Sequence, residues 1–207
     1  MRQAILTGRL AFHWLLGLML ITQAGCSHLS RPQAGRVPEG SASPYALAEL
    51  ETWHLEGRIG IQTRNDAWQA HIVWNHEPRQ DRVQVLGPLN QGAVSIVLRE
   101  GMIYINPGSR EAVLSREPEQ ALREQLGFAV PLYSVRYWIL GLPDPLHPHV
   151  MLNDTEGNPL FRQTGWEIGQ SDFRLEHGYR IPGRLRIQGE DVKLKLVIDQ
   201  WQAGIHP

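Results

Sequence analysis

The chain has 207 residues, 20 Lys plus Arg against 21 Asp plus Glu, 42% hydrophobic and 20% charged residues, and one cysteine. That length suits one domain, or two small ones, able to bury most of its apolar surface without covalent staples. A formal charge of -1 gives no basic excess for nucleic acid and no acidic excess for a disordered chain, and the lone cysteine excludes internal disulfides, CxxC pairs and multi-cysteine metal centres.

Arg2 and Arg9 precede a mostly apolar run from Leu10 to Ile21, and Thr22-Gln23-Ala24-Gly25 leads to Cys26. A positive end, an apolar middle and small residues before a cut form the order of a secretory signal peptide. As a helix the run would cover about 18 Å, against roughly 30 Å of bilayer hydrocarbon, so a permanent span is not expected. Ala24-Gly25-Cys26 resembles the lipobox of bacterial lipoproteins, with Gln23 departing from the leucine usual at that place. The resemblance implies cleavage between Gly25 and Cys26 and acyl chains on Cys26 as the first mature residue. It also implies an outer-membrane destination, because Ser27 stands where such proteins carry Asp when they are kept at the inner membrane. The bland alternative is a thiol buried as a small hydrophobe. Loss of residues 1–25 leaves 18 Lys plus Arg against 21 Asp plus Glu, a net charge of -3.

From Ser27 to about Tyr45 the chain holds Pro32, Pro38, Pro44, Gly35 and Gly40 and almost nothing apolar, the composition expected of a flexible tether. Some 20 such residues reach roughly 25 Å. The expected organisation is therefore a signal peptide over 1–25, a lipidated N-terminus and tether over 26–45, and a folded domain over 46–207.

In the folded part the periodicity turns to two. Trp53, Leu55, Gly57, Ile59 and Ile61 alternate with His54, Glu56, Arg58, Gly60 and Gln62, which predicts a strand with one wet face. Trp68, Ala70, Ile72 and Trp74 repeat the pattern after Arg64-Asn65-Asp66; Val83 and Val85, then Val94, Ile96 and Leu98, then Ile103 and Ile105 extend it as an antiparallel meander. Around 116–142 the spacing becomes helical. Glu117 is positioned to cap a helix opened by Pro118 and ended by Gly127, with Leu122 and Leu126 on one face. Pro131 opens a second helix that gathers Val135, Trp138, Ile139 and Leu142 before Pro143. Strands return over Gly165 to Ile168, Phe173 to Glu176, Leu185 to Gln188 and Val192 to Ile198, the last two forming a hairpin through Gly189-Glu190-Asp191. Mainly β with a small helical insert, the chain should form a strongly curved antiparallel sheet or open barrel with helices against its concave face. Six tryptophans, Trp53, Trp68, Trp74, Trp138, Trp166 and Trp201, remain beyond the signal. Periodicity does not separate an aromatic packed core, the commoner outcome, from an apolar cavity.

Catalytic patterns are absent: no GxSxG, HExxH, phosphate-binding glycine loop or EF-hand loop occurs. Lys193 and Lys195, the chain's two lysines, fall on the wet face of a strand. His147-Pro148-His149 offers two metal nitrogens where zinc takes three or four ligands. No enzyme activity, metal or cofactor is expected.

Tyr137-Trp138-Ile139-Leu140-Gly141-Leu142-Pro143, after Pro131-Leu132-Tyr133-Ser134-Val135-Arg136, carries the most specific resemblance. With the lipobox, the Gly87-Pro88-Leu89-Asn90-Gln91-Gly92 turn, and Val192-Lys193-Leu194-Lys195-Leu196 before Trp201, it resembles the LolB family. That family comprises outer-membrane lipoproteins that receive other lipoproteins from the periplasmic carrier LolA. The resemblance spans about Tyr45 to Trp201. It implies an incomplete antiparallel β-barrel with a helical lid over a hydrophobic cavity, and a monomer facing the periplasm whose partners are LolA, acylated cargo and outer-membrane phospholipid. It also implies that Leu89, between Pro88 and Asn90 in a protruding loop, delivers cargo into the membrane. The rigid, glycine-flanked turn suits such a display, although a turn leucine more often folds back to be buried. On alternation, Trp53, Ile59, Trp68, Ile72, Trp74, Val83, Val94, Ile96, Trp138 and Ile139 are the candidates for the cavity wall and lid. A binder of free lipid or another apolar molecule, and a structural lipoprotein with a solid core, remain the alternatives.

Overall fold

The computed structural model describes residues 44–87 and 92–204. In chain order these form α1 (Pro44–Ala48), β1 (Trp53–Thr63), β2 (Ala67–Glu77), β3 (Gln80–Leu86), β4 (Val94–Arg99), β5 (Met102–Asn106), β6 (Val113–Ser115), α2 (Pro118–Leu126), α3 (Leu132–Trp138), β7 (His149–Asn153), β8 (Pro159–Gln163), β9 (Trp166–Glu176), β10 (Tyr179–Gln188) and β11 (Val192–Ala203). The strands make one antiparallel sheet in the order β6-β5-β4-β3-β2-β1-β11-β10-β9-β8-β7. Two meanders, β1 to β6 and β7 to β11, are thus joined where the first strand pairs with the last. The edges β6 and β7 do not pair with each other, so the barrel is incomplete. The connection between these edges must cross the sheet, and it is this connection that carries α2 and α3.

The buried side of β1 is Trp53, Leu55, Gly57, Ile59 and Ile61, every second residue, as the alternation predicts. Curvature enters at a bulge. Glu56 pairs with Gln200 and Gly57 with Ile198, which leaves Asp199 as the extra residue. Only glycine fits at 57, because a Cβ there would collide with the Val197 carbonyl oxygen. Arg58 holds the extra residue from outside, its Nε and Nη2 donating to the two Asp199 carboxylate oxygens at 3.0 and 2.9 Å.

The helical motif has a local explanation. The N–H of Leu142 donates to the Tyr137 carbonyl at 3.1 Å and that of Gly141 to the Trp138 carbonyl at 2.9 Å, the paired bonds of a Schellman cap. Such a cap needs one left-handed residue, and Gly141 supplies it with φ 83°. α2 ends as predicted, at Gly127 with φ 82°, but Glu117 makes no side-chain cap bond.

Three features of the sheet depart from the sequence reading. The two segments 165–168 and 173–176 belong to one strand, β9. Its polar middle hides a buried Gln170, whose Nε2 donates to the Gly141 carbonyl at 3.0 Å. Strands β6, β7 and β8 were not predicted: β6 has three residues, and β7 is exposed along its whole length, so neither shows alternation. Helix α1 begins inside the predicted tether, with Leu47 buried.

Candidate functional site

Between the concave face of the sheet and the lid lies an apolar cavity of about 80 Å³. Of the ten expected wall residues, Ile59, Trp68, Ile72, Trp74, Val83, Val94, Ile96 and Ile139 line it. Ile187, Leu194 and Leu196 complete the wall from β10 and β11, and Leu122, Leu126, Phe128, Val130, Leu132 and Val135 cover it from the lid. Leaving such a void instead of filling it costs stability, about 2 kcal/mol at roughly 24 cal/mol per Å³. Trp74, Val83 and Ile139 line it as buried residues. The half-exposed liners Trp68, Val85, Val94 and Leu126 mark where it reaches solvent, its mouth. Val85 and Val94 face each other across β3 and β4, at the ends that run into the 87–93 turn. Pro88, Leu89 and Asn90 of that turn lie outside the described residues, as do Gly25 and Cys26.

Two expected wall residues do not line the cavity. Trp53 packs at the base of the barrel, its ring centroid 5.8 Å from that of Trp74 and 5.2 Å from the His76 ring, stacked on the latter. Trp138 is fully buried but packs against the Trp166 ring, 5.8 Å away, and not against the void. Alternation places a residue on the concave side but does not say whether a neighbour or empty space stands opposite. The lid residues were legible only as helix faces, and Ile187, Leu194 and Leu196 as the dry side of a hairpin.

Trp138 belongs to a buried polar cluster that fixes α3. Its indole N–H donates to Gln163 Oε1 at 2.8 Å, and the Asp144 N–H donates to the same oxygen at 2.9 Å. Gln163 returns two bonds through Nε2, to the carbonyls of Asp144 and His147, each at 2.8 Å. The Asp144 carboxylate accepts from the Ser134 hydroxyl at 2.7 Å and the Leu146 N–H at 2.9 Å, and the His147 ring Nδ1 lies 2.9 Å from it. Burial by itself would raise the Asp144 carboxyl, but the Ser134, Leu146 and His147 contacts outweigh it and hold the group below the ordinary carboxylate range. On the opposite flank, Arg136 of α3 lies 3.6 Å from buried Asp81 of β3, which also accepts from the Trp74 indole at 2.9 Å and sits 2.8 Å from His76 Nδ1. His147 is thus engaged in a structural bond, and among the described residues no three His, Cys, Asp or Glu side chains gather as metal ligands.

The sequence has clear relatives among known proteins. The family model described as "Outer membrane lipoprotein LolB" matches residues 51–201. The outer-membrane lipoprotein LolB of Nitrosococcus oceani is 31% identical over 191 residues, which cover 90% of this chain and 95% of that protein. The Pseudomonas aeruginosa LolB is 28% identical over 194 residues, covering 91% and 95%. A solved structure of a LolA superfamily protein from Nitrosomonas europaea overlays 81% of this chain and 96% of its own at a TM-score of 0.45 and 7% identity.

Proposed function

The chain belongs to the LolB family of outer-membrane lipoproteins, and from that premise we propose that its lidded cavity takes up the acyl chains of a lipoprotein handed over by the carrier LolA and releases them into the outer membrane. The protein is a receptor of the lipoprotein localisation pathway, lipid-anchored at the periplasmic side of the outer membrane, and not an enzyme. The anchor in this reading is Cys26, lipidated and left as the first mature residue by cleavage between Gly25 and Cys26, and the working form is a monomer.

The observation that carries the proposal is a cavity lined only by apolar side chains and roofed by helices. An acyl chain of about sixteen carbons costs on the order of 12 kcal/mol to hold in water at about 0.8 kcal/mol per methylene. Moving it between two apolar cavities avoids most of that cost, so an affinity difference of about 1.4 kcal/mol per factor of ten suffices to set direction without nucleotide hydrolysis. The closed cavity is far too small for such a chain, since a void of roughly 150 Å³ holds benzene. Loading therefore requires the lid to lift, with lid contacts exchanged for contacts to the acyl chain. In release, Leu89, flanked by Pro88 and Asn90, contacts phospholipid.

The protein carrying Cys26→Ala should take acylated cargo from LolA; failure to do so overturns the receptor reading. For Leu89→Glu, cargo binding should persist while delivery to membranes is lost, and loss of both would instead assign Leu89 to folding. The small closed volume favours a second reading, a receptor for free lipid or a small apolar molecule. An apolar fluorophore bound in the cavity separates the two: acylated lipoprotein displaces it under the first reading, free fatty acid alone under the second.

A further inference from the structure

The centre of the convex face carries a charge arrangement that the fold does not require. Lys193 and Lys195 project from β11 into solvent while Leu194 and Leu196 are buried on the other side. The register sets Lys195 opposite Arg186 of β10 and, across β1, Lys195 opposite Gly60 and Lys193 opposite Gln62. Like charges placed opposite each other weaken a strand pair. Three arginines of this face are neutralised, Arg58 by Asp199 at 2.9 Å, Arg162 by Glu167 at 2.8 Å and Arg184 by Asp172 at 3.7 Å, whereas Arg82 and Arg99 of β3 and β4 are exposed without a carboxylate at ion-pair distance among the described residues. Among the described residues, Lys193, Lys195 and Arg186 have no carboxylate within ion-pair distance. Asp154, Glu156 and Glu167 line the groove on the β8 side of Arg186 and Lys195; Asp154 accepts from Asn158 at 2.8 and 3.0 Å, and the Arg186 charge helps to hold its carboxyl below the ordinary range, so Arg186 is partly compensated and the two lysines carry most of the free charge. A Cβ at Gly60 would lie 3.9 Å from the Lys195 Cβ, and one at Gly169 would lie 3.9 Å from the Arg186 Cβ, so glycine leaves room beside both cations. They stand out on a mature chain whose net charge is -3.

We propose that Lys193, Lys195 and Arg186 form a docking surface for anionic phospholipid headgroups, an inference that rests on the membrane-anchored reading above. Charge complementarity and chain connectivity both favour a lipid surface over other anions. Lysine ammonium groups suit phosphate as compact point charges. The chain arrives from Cys26 at α1, which packs on β10 and continues into β1. It therefore enters the fold on the strands that flank and carry the patch. The intervening stretch of about 18 residues spans at most roughly 60 Å, so a membrane holding Cys26 is always within reach.

The test uses the mature chain, residues 26–207, carrying Cys26→Ala, which cannot be acylated, and vesicles of phosphatidylcholine with and without phosphatidylglycerol. Each cation near an anionic surface raises partitioning about fivefold. Co-sedimentation should occur with the phosphatidylglycerol vesicles and fade as salt is raised. It should fall at least tenfold in Lys193→Glu/Lys195→Glu and recover in Lys193→Arg/Lys195→Arg. Arg82→Glu/Arg99→Glu, on exposed positions of β3 and β4, changes net charge equally and should leave binding intact. Equal binding to both vesicle types, no binding to either, or an equal loss in the Arg82/Arg99 variant overturns the proposal. Fluorophore displacement by acylated lipoprotein, measured on the same variants without vesicles, reports on the cavity separately. Its loss in the Cys26→Ala chain would count against the receptor reading and not against the docking surface.

Discussion

Helices α2 and α3 both press apolar side chains onto the same cavity, Leu122 and Leu126 from the first, Leu132 and Val135 from the second. They are held by different forces. α3 is pinned on one flank by buried hydrogen bonds, Trp138 to Gln163 and Ser134 to Asp144, and on the other by a partly solvated ion pair, Arg136 to Asp81 at 3.6 Å. α2 has no such tie in the interior. Gln120 donates to Glu124 of its own exposed face, and the Gln125 carbonyl accepts from Arg110 at the surface. Burial of Leu122 and Ala121 holds it instead. Apolar contact is non-directional and can be replaced by another apolar surface at little cost, whereas a buried hydrogen bond leaves an unsatisfied group when broken. The contrast makes α3 a fixed wall and α2, bounded by the left-handed Gly127, the more loosely held part of the lid.

Four perturbations would break or sharpen that contrast. The largest effect is expected from Trp138→Ala, which empties a fully buried site and removes one of the two donors to Gln163 Oε1; urea denaturation should show a loss of about 3–5 kcal/mol. A loss below about 1 kcal/mol would mean that α3 is not pinned there. Next, Asp144→Asn should cost about 1–3 kcal/mol at neutral pH, since Ser134 and Leu146 lose a charged acceptor. Because the folded Asp144 carboxyl is depressed, its contribution is complete above the ordinary carboxylate range and disappears as pH falls through the lower folded value. The wild-type stability should therefore drop in acid more steeply than that of the Asn variant, and parallel pH curves would refute the role. Arg136→Met should cost less, about 1 kcal/mol, because Asp81 keeps its Trp74 and His76 partners and the pair is partly solvated. A larger loss would make the Asp81 flank the main support. The smallest change in stability, about 1 kcal/mol or less, is expected for Leu126→Ser at the half-exposed mouth. Fluorophore uptake should nevertheless quicken, and hydrogen exchange in the wild type should show α2 amides at least tenfold less protected than those of α3. Equal protection of the two helices would abolish the distinction.

Much of the sheet is legible in the chain because burial on one face imposes a period of two. The strands from Trp53 to Ile105 and from Val192 to Ile198 follow from that alone, and Gly127 and Gly141 mark helix ends because a left-handed residue is needed there. The edge strand β7 was hidden by its exposure on both faces. In β9, Gln170 and Asp172 look like a turn, yet the first is buried against Gly141 and the second lies at a kink with φ 56° opposite Gly183. Eight of the ten expected wall residues lie on the cavity, since they occupy the concave side of neighbouring strands. Trp53 and Trp138 share their hydropathy and periodicity but meet His76 and Gln163 instead. Nothing in the local pattern distinguishes those partners, which are 23 and 25 positions away.

By itself the sequence determined the signal-like N-terminus with its single cysteine, the alternation that curls a wet-and-dry sheet, and the absence of any catalytic or nucleotide-binding pattern. These are local properties, set by the period of side chains along a strand and by residues with restricted backbone angles. Tertiary structure alone decided which dry faces meet a void and which meet another ring, that one lid helix is hydrogen-bonded into place and the other is not, and that the two lysines stand across from an arginine. Each of these depends on what the folded chain brings opposite a residue, and that pairing is set by sheet register and by the crossing of the lid from one sheet edge to the other.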